Sequence, residues 1–205
     1  MEQVGKILVV CTANVCRSVY ASSILTGDLG RRVAVTSAGT DAVPGSEMCS
    51  LVRALIDTGG LARPSQYDEG SRRLDSRVVE DADLVITFTS NQRAKVARQV
   101  ASSRARLFTL REAVALVEVT GDRRASDSLS TWVGRLNARR PVLARTRAAE
   151  SVFHWWWPVR PRQRDDSPRW DLADAHSASD DRHRTLLQEV SRYAHRLASA
   201  IGGEQ

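Results

Sequence analysis

Residues 7–18 read Ile7-Leu8-Val9-Val10-Cys11-Thr12-Ala13-Asn14-Val15-Cys16-Arg17-Ser18. The first four, preceded by Val4, form a short continuous apolar run rich in β-branched side chains, the pattern of a strand buried on both faces. The run stops at Cys11, and a helical period begins after Ser18 with Ala21, Ile24, Leu25 and Leu29. Cys11 and Arg17 thus bracket five residues between a strand and a helix.

The same alternation continues along the chain. Residues 33–35 read as a second strand, closed by Ser37-Ala38-Gly39-Thr40. Met48, Leu51, Val52, Leu55 and Ile56 mark one face of a helix that stops at Gly59-Gly60. Residues 84–88 are the clearest strand, after which Ser90-Asn91 is placed to cap a helix carrying Ala94, Ala97, Val100 and Ala101. Leu107-Phe108 reads as a fourth strand, with a helix over residues 110–117. Leu186, Leu187, Val190, Tyr193, Ala194, Leu197, Ala198 and Ile201 fall on one stripe of a last helix, led by Asp180 and Asp181. Strands alternating with helices predict an α/β fold, a parallel sheet covered on both faces. Ligands of such sheets bind beyond the carboxyl ends of strands, which directs attention to residues 11–18.

Composition narrows the class. The 205 residues suffice for one domain with a core and are too few for two ordinary ones. No apolar run approaches the ~20 residues of a membrane helix. The polar start lacks the layout of a signal peptide, so a cytoplasmic location is expected, with three reduced cysteines and no disulfide framework. The net charge of +6 is concentrated: residues 121–165 carry ten Arg against Asp122, Asp127, Glu150 and Asp165, leaving the remainder neutral. The five Trp all lie between Trp132 and Trp170. The basic character therefore belongs to one segment, and nucleic-acid binding is not expected from it. Within that segment a helix is predicted from Ser130 to Pro141, followed by irregular chain through Trp155-Trp156-Trp157-Pro158.

The strand–C-x5-R-S–helix loop carries the chemistry. Successive backbone N–H groups entering a helix N-terminus form an anion cradle of positive potential. The guanidinium of Arg17 adds a planar fork suited to two phosphate oxygens. The potential that draws phosphate also favours a thiolate at Cys11, and a thiolate beneath phosphate is set for in-line attack on phosphorus. Ser18 is placed to donate a hydrogen bond to that sulfur. A buried structural cysteine beside a solvated arginine is the competing reading. A Walker-type loop is excluded, since the stretch holds neither Gly nor Lys. No cofactor is implied, and a metal site is not expected: Cys11, Cys16 and Cys49 lack paired C-x-x-C spacing and no histidine lies near them. Cys49, beside the apolar face of Met48, Leu51 and Val52, reads as core.

Residues 9–18 resemble the signature of low-molecular-weight protein tyrosine phosphatases. Ser37-Ala38-Gly39-Thr40, Ser71-Arg72-Arg73-Leu74 and Ala82-Asp83-Leu84-Val85 recur in the order and spacing of that family. The resemblance covers roughly residues 4–117 and 168–201. It implies a three-layer α/β/α fold with a four-stranded parallel sheet, order 2-1-3-4, and a C-terminal helix, here with a basic, Trp-containing insertion at about 121–165. It further implies metal-free hydrolysis of phosphotyrosine in proteins through a phosphocysteine. Cys11 would be the nucleophile, Arg17 the phosphate clamp, and the backbone of Thr12, Ala13, Asn14, Val15, Cys16, Arg17 and Ser18 the cradle. Asn14, Ser18 and Ser37 would support the loop. Cys16 is a redox candidate, since the family often pairs its equivalent reversibly with the nucleophile. A small buried side chain packing under the loop serves as well.

Ester cleavage also needs a proton donor at the leaving oxygen and then a base for water. The family uses one aspartate of an Asp-Pro-aromatic loop before the last helix. Here Asp174-Ala175-His176 stands in register, with Asp171 as the alternative and Asp165, Asp166, Asp180 and Asp181 nearby. Ala175 replaces the expected proline, Val43 stands where relatives carry an aromatic, Val19 replaces a proline, and Glu69 stands where a histidine supports the loop asparagine. The segment 121–165 admits three readings: a cover over the pocket mouth, a docking surface for a protein partner, or a helical extension with solvated arginines. Two rival functions share the loop. One is arsenate reduction resolved by an external small thiol, because residues 76–110 hold no cysteine relay. The other is a phosphotyrosine-binding module without efficient turnover.

Overall fold

The computed structural model describes residues 5–64, 67–153, 169–174 and 179–203. Strand β1 (Gly5–Cys11) pairs in parallel with β2 (Val33–Gly39) on one side and β3 (Leu84–Thr87) on the other. Strand β4 (Leu107–Thr109) completes a four-stranded parallel sheet in the order β2-β1-β3-β4. Side chains alternate across β1: Ile7, Val9 and Cys11 join one core, Leu8 and Val10 the other. Both faces are thus covered, which is why the strands are continuous apolar runs. The second strand runs to Gly39, past the expected Val35, because its pairing with β1 stays in register to Cys11↔Gly39.

In chain order the helices are α1 (Arg17–Leu29), α2 (Ser50–Thr58), α3 (Ser76–Glu80), α4 (Ser90–Gln99), α5 (Leu110–Thr120), α6 (Leu129–Phe153) and α7 (Asp180–Gly202). Val79 of α3 and Val96 of α4 cover the face of Leu8 and Val10. The opposite, larger core takes Ile24 and Leu25 of α1, Val52 and Ile56 of α2, Leu116 of α5 and Trp132 of α6. It also takes the α7 stripe of Leu187, Val190, Ala194, Leu197 and Ile201. The cap of α4 is Thr89, not Ser90 or Asn91. Its hydroxyl accepts the Gln92 N–H while the Gln92 side chain accepts the Thr89 N–H, so two orphan donors are satisfied reciprocally.

Two expectations for the basic segment change. Its helix does not stop at Pro141 but continues to Phe153. The missing proline N–H costs about 3 kcal/mol in a helix interior. Tertiary contacts before the proline offset that cost, since Leu129, Trp132, Val133 and Leu136 are all buried. Nor are all of its described arginines solvated, although Arg124 and Arg139 are exposed. Arg140 donates to Glu112 and to the Arg104 and Leu107 carbonyls, Arg123 to the Ile201 carbonyl, and Arg135 to Asp127. Trp155, Trp156 and Trp157 lie outside the described residues. Among the described residues, no helix is long and apolar enough to cross a membrane.

Candidate active site

Strand β1 sits between β2 and β3, so the chain leaving its carboxyl end enters the crevice where crossovers diverge to opposite faces. Residues 12–16 turn there into α1. The Cys11 and Thr12 carbonyls accept the Thr40 and Asp41 N–H groups, each at 2.9 Å, so the end of β2 forms one wall. Gly39 makes that approach possible. A Cβ at this position would lie 2.5 Å from the Thr12 oxygen and 2.9 Å from the Asn14 nitrogen.

Asn14 shapes the loop. It takes the left-handed backbone conformation, with φ of 55°, and its buried amide fixes it there. Nδ2 donates to Ser18 Oγ (2.9 Å) and Ser37 Oγ (2.8 Å), and Oδ1 accepts the Arg72 N–H (2.8 Å). The turn aims the Asn14 N–H at Cys11 Sγ, 3.2 Å away. Ser18 Oγ lies 3.0 Å from the same sulfur while accepting from Asn14, so its own hydrogen is free to be donated to Sγ when the sulfur is a thiolate. Two donors converge on the nucleophile expected from sequence. Glu69 takes no part in this. It pairs at 3.6 Å with the Arg72 side chain, while the Arg72 backbone serves Asn14.

Arg17, the first residue of α1, is 2 % exposed, and its guanidinium lies over the Phe88 ring, 5.8 Å from the centroid. Nη1 donates to the Leu172 carbonyl (3.1 Å) and Nη2 to Asp174 Oδ2 (2.7 Å). Asp174 is therefore brought to Arg17, the expected phosphate clamp, with its side chain 53 % exposed. Asp171 has a different place. Its carboxylate is buried and accepts both the Ser90 N–H (2.7 Å) and the Ser90 hydroxyl (2.8 Å). The Leu172 N–H reaches the Phe88 carbonyl (2.7 Å), and Arg111 donates to the Asp171 carbonyl (3.0 Å) and to both carboxylate oxygens of Glu189 in α7. Asp171 anchors the arm that presents Asp174. Asp180 and Asp181 occupy the first turn of α7, where they complement the helix dipole. Asp165, Asp166, Ala175 and His176 lie outside the described residues.

At the rim, Val43 is 70 % exposed, and Asp41 pairs with Lys95 at 2.6 Å. The hydrogen bond from Lys95, then that from Thr40, holds the Asp41 carboxyl below its ordinary range. Gln92 Nε2 donates to Thr12 Oγ1 (3.0 Å), tying α4 to the loop. Sequence reasoning missed Gln92, Lys95, Phe88 and Arg72. The Thr89-x-x-Gln92 capping pattern points to Gln92, whereas a backbone N–H such as that of Arg72 leaves no trace in residue type.

The underside of the loop overturns the reading that no histidine attends the cysteines. Helix α7 carries His183 to Cys16, with Nε2 3.1 Å from Sγ. Cys49, whose N–H donates to the Val15 carbonyl (2.9 Å), is the third member. The two sulfurs and the imidazole nitrogen lie within 4.8 Å of one another, and all three residues are buried. Burial, followed by neighbouring Cys49 and Cys11, pushes the Cys16 thiol far up. The three cysteines are free thiols.

Residues 6–120 match the low molecular weight phosphotyrosine protein phosphatase family, and the chain belongs to that family. It is 33 % identical over 112 residues to a protein-arginine-phosphatase of Bacillus subtilis strain 168, covering 53 % of this chain and 71 % of the relative. A protein-arginine-phosphatase of Geobacillus stearothermophilus is 28 % identical over 143 residues, 64 % of this chain and 93 % of the relative. The fold matches the tyrosine phosphatase amsI of Erwinia amylovora with a TM-score of 0.63 at 18 % identity, covering 98 % and 95 % of the two chains. The protein is a phosphatase of this family, and arsenate reduction is not favoured.

Proposed function

We propose that the protein dephosphorylates phosphotyrosine in proteins through a phosphocysteine on Cys11, as one domain acting in the cytoplasm, where a reactive thiol stays reduced. The observation that carries this reading is the convergence of the Asn14 N–H and Ser18 hydroxyl on Cys11 Sγ, beside Arg17 and Asp174. The loop N–H groups of residues 12–17 and the Arg17 fork hold the phosphoryl oxygens. The Cys11 thiolate attacks phosphorus, the bond to the phenolic oxygen breaks, and Asp174 gives that oxygen its proton. Asp174, now a carboxylate, takes a proton from water as the water attacks phosphorus. The sulfur–phosphorus bond breaks, phosphate leaves, and Ser18 and the Asn14 N–H receive the returning thiolate. Cys16 is kept as the candidate to shield Cys11 by a reversible disulfide, and residues 121–165 as a candidate surface for a protein partner.

The two relatives named protein-arginine-phosphatase support a second reading, in which the bond broken is phosphorus–nitrogen on an arginine side chain. A peptide panel bearing phosphotyrosine or phosphoarginine decides. The first reading expects higher kcat/KM on phosphotyrosine, loss of turnover in Cys11→Ser, and strong reduction in Asp174→Asn. Preference for phosphoarginine establishes the second. Phosphate binding without turnover on either peptide contradicts both.

A further inference from the structure

Beneath the phosphate loop, the structure assigns Cys16, Cys49 and His183 as a site for a thiophilic cation of the zinc(II) class. The donor set is two sulfurs and one imidazole nitrogen with no carboxylate, which suits zinc and disfavours magnesium or calcium. Tetrahedral zinc, with bonds of about 2.3 Å to sulfur and about 2.0 Å to nitrogen, places its ligand atoms roughly 3.5–3.8 Å apart. To reach that geometry the Cys16–His183 contact of 3.1 Å opens by a few tenths of an ångström, and the other two pairs, within 4.8 Å, close by no more than about 1.3 Å.

Each donor comes from a separate, firmly held element. Cys16 is the residue before α1, Cys49 the residue before α2, and His183 lies in the opening turns of α7. The Cys49 N–H to Val15 bond already ties the second element to the loop. Binding forms two metal–sulfur bonds and one metal–nitrogen bond, and the two thiol protons pass to solvent. Two thiolates, a neutral imidazole and a dication sum to zero, so the complex carries no net charge into the buried site. Three ligands leave a fourth position open. The inference does not rest on the substrate assignment. Its consequence reaches the active site, because a cation held by Cys16 fixes the residue before Arg17 and withdraws Cys16 from any disulfide with Cys11.

The full reduced chain, freed of metal, is titrated with cobalt(II) and then zinc(II). One equivalent of cobalt is expected to give tetrahedral d–d absorption and a charge-transfer band of two-thiolate intensity, which zinc then bleaches. Cys11→Ser should keep the spectrum. Cys49→Ser and His183→Ala, checked for folding by circular dichroism, should each weaken binding tenfold or more, and zinc should raise the melting temperature of the wild type but of neither variant. Absence of the band in folded wild type overturns the site. So does one-thiolate intensity, or a band that survives both variants and disappears in Cys11→Ser. The wild-type spectrum decides even if a variant fails to fold.

Discussion

The loop that presents Cys11 and the arm that presents Asp174 meet at Arg17, yet they are held in different ways. Cys11, Asn14 and Ser18 bond to one another within eight residues of chain, at 2.9–3.2 Å, with Ser37 and the Arg72 backbone reaching in from outside. Among the described residues, the arm at residues 171–174 is tied over long range. Its bonds run to Ser90, Phe88, Arg111 and Arg17, all remote in sequence. The half around Cys11, the proposed nucleophile, is largely self-specified, whereas the half around Asp174, the proposed acid, draws its described bonds from the finished fold. Damage to the fold should therefore cost proton donation before it costs anion binding.

The largest effect expected is at the loop. Cys11→Ser should lower turnover on the order of 10^5-fold while phosphate binding, read by calorimetry, persists, because the cradle remains. Loss of binding together with turnover would break the contrast. Next is Trp132→Ala, which empties a fully buried site supporting the sheet and should cost about 3–5 kcal/mol in urea unfolding. Asp174→Asn should lower kcat by about 10^2–10^3-fold on phenyl phosphate and less on para-nitrophenyl phosphate, whose leaving group needs less help. Asp171→Asn sharpens the contrast further. It leaves the Asp174 side chain chemically unaltered but loosens the arm's grip on Ser90, so Asp174 is less well positioned and kcat should fall by about tenfold to 10^2-fold with KM little changed.

The smallest effect is at the rim. The Asp41 carboxyl is held below its ordinary range, so its contribution to stability is present above that range and fades as pH falls through the lowered value. Both partners are substantially exposed, and Lys95→Met should cost about 0.3 kcal/mol at neutral pH and nothing in strong acid. Urea unfolding at the two pH values checks the sign.

What was legible in the sequence follows the same division. Residues 7–10 and 84–87 announce buried strands because burial on both faces demands unbroken apolar runs. The spacing of Cys11, Arg17 and Ser18 announces the cradle because the chemistry is packed into one turn of chain. Register alone points to Asp174, and nothing local in the sequence separates it from Asp171. Only the Ser90 contacts show that Asp171 is an anchor. His183 was invisible for the same reason: it reads as one polar residue on a periodic helix until α7 packs on α1 and brings it to Cys16. Pro141 misled because its local penalty is real, while the buried contacts of Trp132 and Leu136 that outweigh it are not local.

A single-turnover reaction with a phosphotyrosine peptide, stopped by a denaturing quench and mapped by mass spectrometry, tests the central claim most directly. One phosphoryl group should be found on the peptide containing Cys11, accumulating with the kinetics of phenol release and absent from Cys11→Ala. A phosphoryl group on any other side chain, or undiminished turnover in Cys11→Ala, would contradict it.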